Sequence, residues 1–295
     1  DTLSIREKRA RQAPRSSAAA ANSVVRVTPI KGALFSLVLL TAGLAAAQER
    51  AWLAGTLPTS HATLSRDAVD VPFGSGEKST FEVRFGAVRV GNGSLSVVGL
   101  DNVRGRDAWH VSFNVQGGTF FYRVNDVYES WIDTRTLNSL LFNRQIEEGT
   151  RERMQSYEII PERGTYIERT RQKTTTKKTV DEPLDEGAFL YFVRTIPLVV
   201  GQSYEFHRYF IPDRNPVRLR VLRKERVTVP AGTYNAIVVQ PIIKTKGIFS
   251  EKGQAEVWLS DDSSRILLQV KSKLSFGSLN LYLKSYTPPT NQTRQ

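Results

Sequence analysis

Apolar and polar residues alternate with a period of two through most of the chain beyond Ser79. Phe81, Val83 and Phe85 are interleaved with Thr80, Glu82 and Arg84, and Val111, Phe113 and Val115 with His110, Ser112 and Asn114. Val217, Leu219 and Val221 alternate with Arg218, Arg220 and Leu222, and Leu279, Leu281 and Leu283 with Asn280, Tyr282 and Lys284. That rhythm buries one face and wets the other, as in antiparallel strands. Turn signals separate the runs at Gly91-Asn92-Gly93, Gly105, Gly117-Gly118, Pro161 to Gly164, Pro230-Ala231-Gly232, Asp261 to Ser264 and Gly277. Their spacing is that of hairpins rather than crossover helices. One stretch departs from the rhythm. From Asp185 to Ile196, Phe189, Leu190, Phe192 and Val193 form an apolar stripe, with Asp185 and Glu186 in the first turn and Pro197 just beyond, which predicts a helix. So many strands cannot stay flat because their twist accumulates. The predicted fold is mainly β: a large curved antiparallel sheet, half-barrel or barrel-like, with one short helix packed on it.

The N-terminal quarter of the pattern is different. Arg26 and Lys31 precede an apolar and small-residue run from Ala33 to Leu44, followed by Ala45-Ala46-Ala47 and the polar Gln48-Glu49-Arg50. A basic start, a short apolar middle and an Ala-x-Ala exit are the layout of a secretory signal peptide. The run is 12 residues long, against the roughly 20 that a membrane-spanning helix needs, so no transmembrane span is expected after signal removal. The expected organisation is an N-terminal extension and signal peptide over 1–47, an irregular connector over 48–76, one β domain over 77–287 and a disordered tail over 288–295.

Charge changes the picture less than it first suggests. The chain has 41 Lys and Arg against 29 Asp and Glu, a net +12. Seven of those basic residues and two acidic ones lie in 1–47, so the balance falls to +7 once the leader is set aside. Nucleic acid is not an expected partner. The absence of cysteine excludes disulfides, thiolate metal sites and a lipidated cysteine in this sequence.

Five segments together resemble a known family. They are Tyr128-Glu129-Ser130-Trp131-Ile132-Asp133, Leu140 to Gly149, Phe189 to Leu198, Val227 to Tyr234 with its Val-Pro-Ala-Gly-Thr turn, and Val257-Trp258-Leu259-Ser260-Asp261-Asp262. In order and spacing they are similar to a bacterial exported family, domain of unknown function 3108, over about Gly76 to Tyr286. The resemblance implies a periplasmic, β-rich protein and brings no catalytic or binding residues with it.

The residues themselves offer little chemistry. Gly74-Ser75-Gly76 lacks the spacing of a nucleophile elbow, and His61, His110 and His207 do not form a metal-binding pair. Glu147-Glu148 and Asp261-Asp262 are sequence neighbours, which point to opposite faces in a strand and cannot flank one glycosidic bond. No catalytic residue, metal or cofactor is therefore assigned, and the protein is expected not to be an enzyme. Two basic regions stand out, Arg163 to Lys178 and Arg214 to Arg226. The leading expectation is a periplasmic envelope protein binding an amphiphile on the concave sheet. Phe189, Tyr191, Phe192 and Arg194 of the helical segment, with Arg218 and Arg220, are the candidate ligand-binding residues. The partner would be an amphiphile or an anionic envelope polymer. The alternatives are a structural or interaction module of the envelope and a hydrolase of envelope polymers. A lumen with a mouth favours the carrier; a side-chain-filled core favours the interaction module.

Overall fold

The computed structural model describes residues 59–61, 67–119, 122–244, 255–274 and 277–290. The expected signal peptide over 1–47 and most of the expected connector over 48–76 lie outside the described residues.

Among the described residues the alternating pattern resolves into fifteen strands. In chain order they are β1 (Thr59–His61), β2 (Lys78–Phe85), β3 (Val88–Val103), β4 (Arg106–Thr119), β5 (Tyr122–Asp133), β6 (Ser139–Glu148), β7 (Arg151–Ile160), β8 (Thr165–Thr170) and β9 (Thr174–Lys178). Helix α1 (Glu186–Val193) follows, then β10 (Ser203–Phe206), β11 (Val217–Val229), β12 (Gly232–Ile242), β13 (Glu256–Ser260), β14 (Leu267–Leu274) and β15 (Gly277–Thr287). All ladders are antiparallel, and the spatial order is β10-β11-β12-β13-β14-β15-β2-β3-β4-β5-β6-β7-β8-β9, with β1 added to β3. The sheet is thus a meander in two arms, joined where β15 meets β2. It is not closed into a barrel, since β9 and β10 are its two ends.

Curvature has identifiable causes. Six ladders carry a register shift, at Val83/Arg84, Val97/Gly99, Trp131/Ile132, Val221/Arg223, Trp258/Leu259 and Leu283/Ser285. An extra residue on one strand bends it and increases local twist. Both arms therefore contribute to one core: Phe81 and Val83 of β2, Trp109 and Val111 of β4, Phe142 of β6, Tyr157 and Ile159 of β7, Leu219 of β11 and Leu283 of β15 are all buried in it.

Two of the expected turns are not turns. Gly91-Asn92-Gly93 lies inside β3 and Gly117-Gly118 inside β4, where Gly91 and Gly117 are ladder partners. A Cβ on Gly91 would sit 2.2 Å from the Gln116 carbonyl oxygen, and one on Gly117 would sit 2.3 Å from that of Val90. These glycines let two backbones approach, which is the other reason a strand carries glycine.

Ordered structure also extends beyond the expected 77–287 domain. Ala68 and Phe73 are buried in the core, β1 pairs with Leu100 to Asn102, and Thr290 donates from its backbone N to the Ser75 carbonyl at 2.9 Å. Pro289 and Thr290 are thereby packed on the 74–76 loop.

Candidate functional site

The concave face is the place where a ligand, a partner or a plug must sit, and α1 occupies it. Asp185 caps the helix as its position predicts: Oδ1 accepts from the backbone N of Gly187 and Ala188 at 2.8 and 2.9 Å. The same oxygen accepts from Ser130 Oγ of β5 at 2.6 Å, and the Asp185 backbone N donates to Ser139 Oγ of β6 at 2.8 Å. Asp185 is fully buried, and that desolvation pushes its carboxyl up to about 6 against the pull of these hydrogen bonds. Gly187 touches β5 so closely that a Cβ there would lie 2.3 Å from Ser130 Oγ.

The other end of the helix is held by a buried ion pair. Arg194 follows the last helical residue, and its Nη1 and Nη2 donate to the two oxygens of Glu77 at 2.6 and 3.0 Å. Nη2 also donates to the Pro72 and Ser264 carbonyls at 3.0 and 2.9 Å. Both side chains are 4% exposed. One guanidinium thus ties the helix, the loop before β2 and the β13–β14 turn together.

The ring contacts complete the plug. Tyr191 packs edge-on to Phe73, which packs edge-on to Trp109 of β4. On the opposite side Phe189 and Phe192 meet Phe206 of β10. The loop after β10 crosses to the other arm, where Phe210 packs against Phe142, Tyr157 and Tyr166. Leu184 forms a parallel bridge with Tyr209 in the same crossing.

Beside the N-terminus of α1 lies an inward-facing polar network that sequence reasoning missed. Glu186 Oε1 accepts from Tyr209 OH at 2.6 Å, and Arg214 donates to that hydroxyl at 2.8 Å. Arg144 of β6 approaches Glu186 at 3.5 Å and donates to Gln155 at 2.7 Å. Asp126 of β5, pushed up to about 6 by burial and by the neighbouring Glu148 charge, belongs to the same region of the inner face. Period-two alternation places Asp126 and Arg144 on the inner face, but nothing in the sequence brings residues 144, 186, 209 and 214 together.

The expected ligand-binding residues are not assembled on one surface. Phe189, Tyr191 and Arg194 are buried in the plug, and Phe192 is half-buried against it. Arg218 and Arg220 are exposed on alternate positions of β11, whose intervening Val217, Leu219 and Val221 face the core. They pair with Glu205 and Gln240 on the outer surface. Arg194 and the two β11 arginines thus fall on opposite faces of the sheet, because alternation separates what the sequence lists together. Beside α1 the space left among Glu77, Ser79, Leu95, Leu190, Tyr191, Arg194, Leu259 and Leu267 is a cavity of about 10 Å³, room for about one water.

The remaining candidates have structural duties. Asp262 Oδ1 accepts from the backbone N of Ser264 and Arg265 and caps its own turn, while Asp261 meets Lys224 at 2.9 Å. Glu147 accepts from Asn125 and Gln145, and Glu148 meets Arg153. His110 lies between Asp101 and Glu129 at 3.5 and 3.3 Å, stacked on Trp131, and His207 is exposed beside Glu205. Among the described residues no group of three His, Asp or Glu side chains is arranged to hold a metal ion.

An open, strongly curved antiparallel sheet, with a helix pinned at both ends on its concave face, defines the class of protein. The chain belongs to the family described as "Protein of unknown function (DUF3108)", whose model matches residues 80–284. No curated protein matches the chain. Among solved structures it is similar to a β-barrel-like protein of domain of unknown function DUF1849 from Brucella abortus, at 7% identity and a TM-score of 0.46, over 75% of this chain and 100% of that one. A candidate lipoprotein from Parabacteroides distasonis matches at 10% identity and a TM-score of 0.28, over 74% and 98% of the two chains. A candidate exported protein with a YmcC-like fold from Bacteroides fragilis matches at 9% identity and 0.26, over 75% and 99%.

Proposed function

We propose that this protein is a non-enzymatic module of the bacterial cell envelope, exported by its N-terminal segment to the periplasm, which works by surface contact with other envelope components rather than by carrying a ligand inside its sheet. The observation that supports this reading is that, among the described residues, α1 and its ring contacts occupy the concave face. Drug-sized ligands occupy pockets of about 300–1,000 Å³, whereas about 10 Å³ remains beside α1. The helix there is held by a buried ion pair and a buried carboxylate cap, so a carrier would have to break both to open. Export rests on the Arg26 to Ala47 layout. No helix among the described residues is long and apolar enough to cross a membrane.

Native mass spectrometry of protein purified from its own envelope fraction, with thermal unfolding in the presence of saturating phospholipid or fatty acid, tests the reading. The expected result is bare protein and an unmoved midpoint, since a ligand that binds only the folded state must raise it. A retained amphiphile, or a midpoint several degrees higher, would overturn the filled-core reading and restore the carrier.

A further inference from the structure

The antiparallel meander sorts its hairpins onto two ends of the sheet. Hairpins β2–β3, β4–β5, β6–β7 and β8–β9 all turn at one end, while β3–β4, β5–β6 and β7–β8 turn at the other. The two ends differ in charge; among the described residues there, the exposed large apolar side chains are Phe85 and Val88 at the first and Val69, whose backbone N donates to the Thr134 carbonyl, at the other.

At the first end the β2–β3 hairpin presents five consecutive exposed residues, Phe85-Gly86-Ala87-Val88-Arg89. Val88 is 65% exposed and Phe85 38%. This tip stands beyond the close Gly91–Gly117 pair and closes with Phe85 opposite Val88. The neighbouring hairpins add cations. Among the described residues of these hairpins, Arg123, Arg151, Arg153, Arg171 and Lys173 are exposed, which with Arg89 make six basic residues against one exposed acid, Glu152. Arg171 and Arg153 pair with Glu152 and Glu148, but exposed pairs of this kind are weak and exchange readily for another anion. At the other end Arg104, Arg135 and Arg163 are exposed beside Glu162, and Arg104 is engaged with the Leu140 and Ile159 carbonyls.

From this asymmetry we infer that the hairpin end carrying Phe85 to Arg89 docks on an anionic lipid membrane, with the apolar tip entering the interface and the row of basic residues along the β4–β9 hairpins meeting headgroup phosphates. An exposed apolar tip at one end of a row of cations matches a surface that is apolar beneath and anionic above. An anionic polymer would satisfy the cations but offers nothing to Val88, and so fits less well. The inference deepens the surface-contact reading above, naming its partner.

Co-sedimentation of the full chain with vesicles of 70% phosphatidylcholine and 30% phosphatidylglycerol, and with phosphatidylcholine alone, tests it against Val88→Asp and the double variant Arg123→Gln/Arg151→Gln. All three proteins share residues 1–58, so any contribution of that segment cancels. Val88 is exposed, so its variant should keep the wild-type unfolding midpoint. Expected are binding to the anionic vesicles, weakening with added salt, a loss of roughly fivefold for each arginine removed, and a larger loss for Val88→Asp. Binding that is unchanged in both variants, or lost only in the arginine variant, would overturn lipid docking; the second outcome would point to an anionic polymer. A Val88→Asp effect on self-association rather than on vesicles would assign the tip to a second copy and likewise overturn it. Absence of vesicle binding by a protein that carries no amphiphile would end this inference while leaving the surface-contact reading intact. A retained amphiphile would instead remove that reading.

Discussion

Arg194 shows how one side chain can join segments far apart in sequence. Its guanidinium meets Glu77 two-on-two and donates to two carbonyls from different loops. A buried pair of this kind recovers its desolvation cost only when every donor is used, and removing one partner leaves the other charge stranded. Glu77→Gln should therefore lower unfolding stability by about 3–5 kcal/mol, with Arg194→Met costing a similar amount. The double variant should cost clearly less than the sum, because the second change removes a charge already left alone. Urea unfolding of the four proteins measures this, and strict additivity would show that the two side chains act independently. As an isolated arginine after an aromatic run, residue 194 looks in sequence like a rim residue for an anionic headgroup. Its burial was not legible because Glu77 lies more than a hundred positions away, and only the fold places it there.

At the scale of elements, the start of α1 was legible, whereas its end, expected at Ile196 and found at Val193, and its surroundings were not. Asp185 followed by Glu186 and an apolar run, with Pro197 beyond, marks a helix that the structure places at Glu186–Val193 with Asp185 as its cap. The apolar stripe expected on Phe189, Leu190, Phe192 and Val193 is less informative. The buried residues are Gly187, Ala188, Phe189, Tyr191 and Val193, because the helix packs between β4 and β5 on one side and β10 on the other. Small residues at 187 and 188 are what allow its first turn to reach the sheet. Gly187→Ala should cost about 1–3 kcal/mol by forcing a Cβ against Ser130 Oγ, which is itself fixed by Asp185. Denaturant unfolding of this variant checks the claim. An exposed helix position would instead gain up to about 1 kcal/mol from the same change, so the sign of the effect decides between a docked and a loose first turn.

The whole molecule has a pH dependence that follows from what it buries. Asp126 and Asp185 are both pushed up to about 6, mainly by burial. An acid whose pKa is higher folded than unfolded binds more protons in the folded state, so stability falls as pH rises from about 4 through 6. Surface carboxylates act in the opposite direction at lower pH. Glu82 and Glu225 are held below their ordinary value by hydrogen bonds from Arg84 and Arg223, and their contribution is lost as pH falls through that depressed range. The urea midpoint should therefore decline between pH 5 and pH 7. Asp185→Asn, which keeps an acceptor for the helix amides but no charge, should flatten part of that decline and gain on the wild type as pH rises. Parallel pH profiles for the two proteins would remove Asp185 from this account.

The sequence by itself determined that the chain is mostly strand with one helix and that so many strands must curve, since these depend on local alternation, capping and accumulated twist; it left open whether the sheet closes. It determined the acidic turn at Asp261-Asp262 as well, because a side chain capping its own backbone needs no distant partner. Tertiary structure alone decided which arm each strand joins, that the arms remain unpaired at β9 and β10, and that Phe210, from the loop after β10, packs onto β6, β7 and β8 of the other arm. It also decided that Gly91 and Gly117 face one another inside strands rather than making turns. The division follows from range: propensity and periodicity act over a few residues, whereas a close backbone approach, a buried ion pair or a filled concave face exists only when segments distant in sequence occupy the same space.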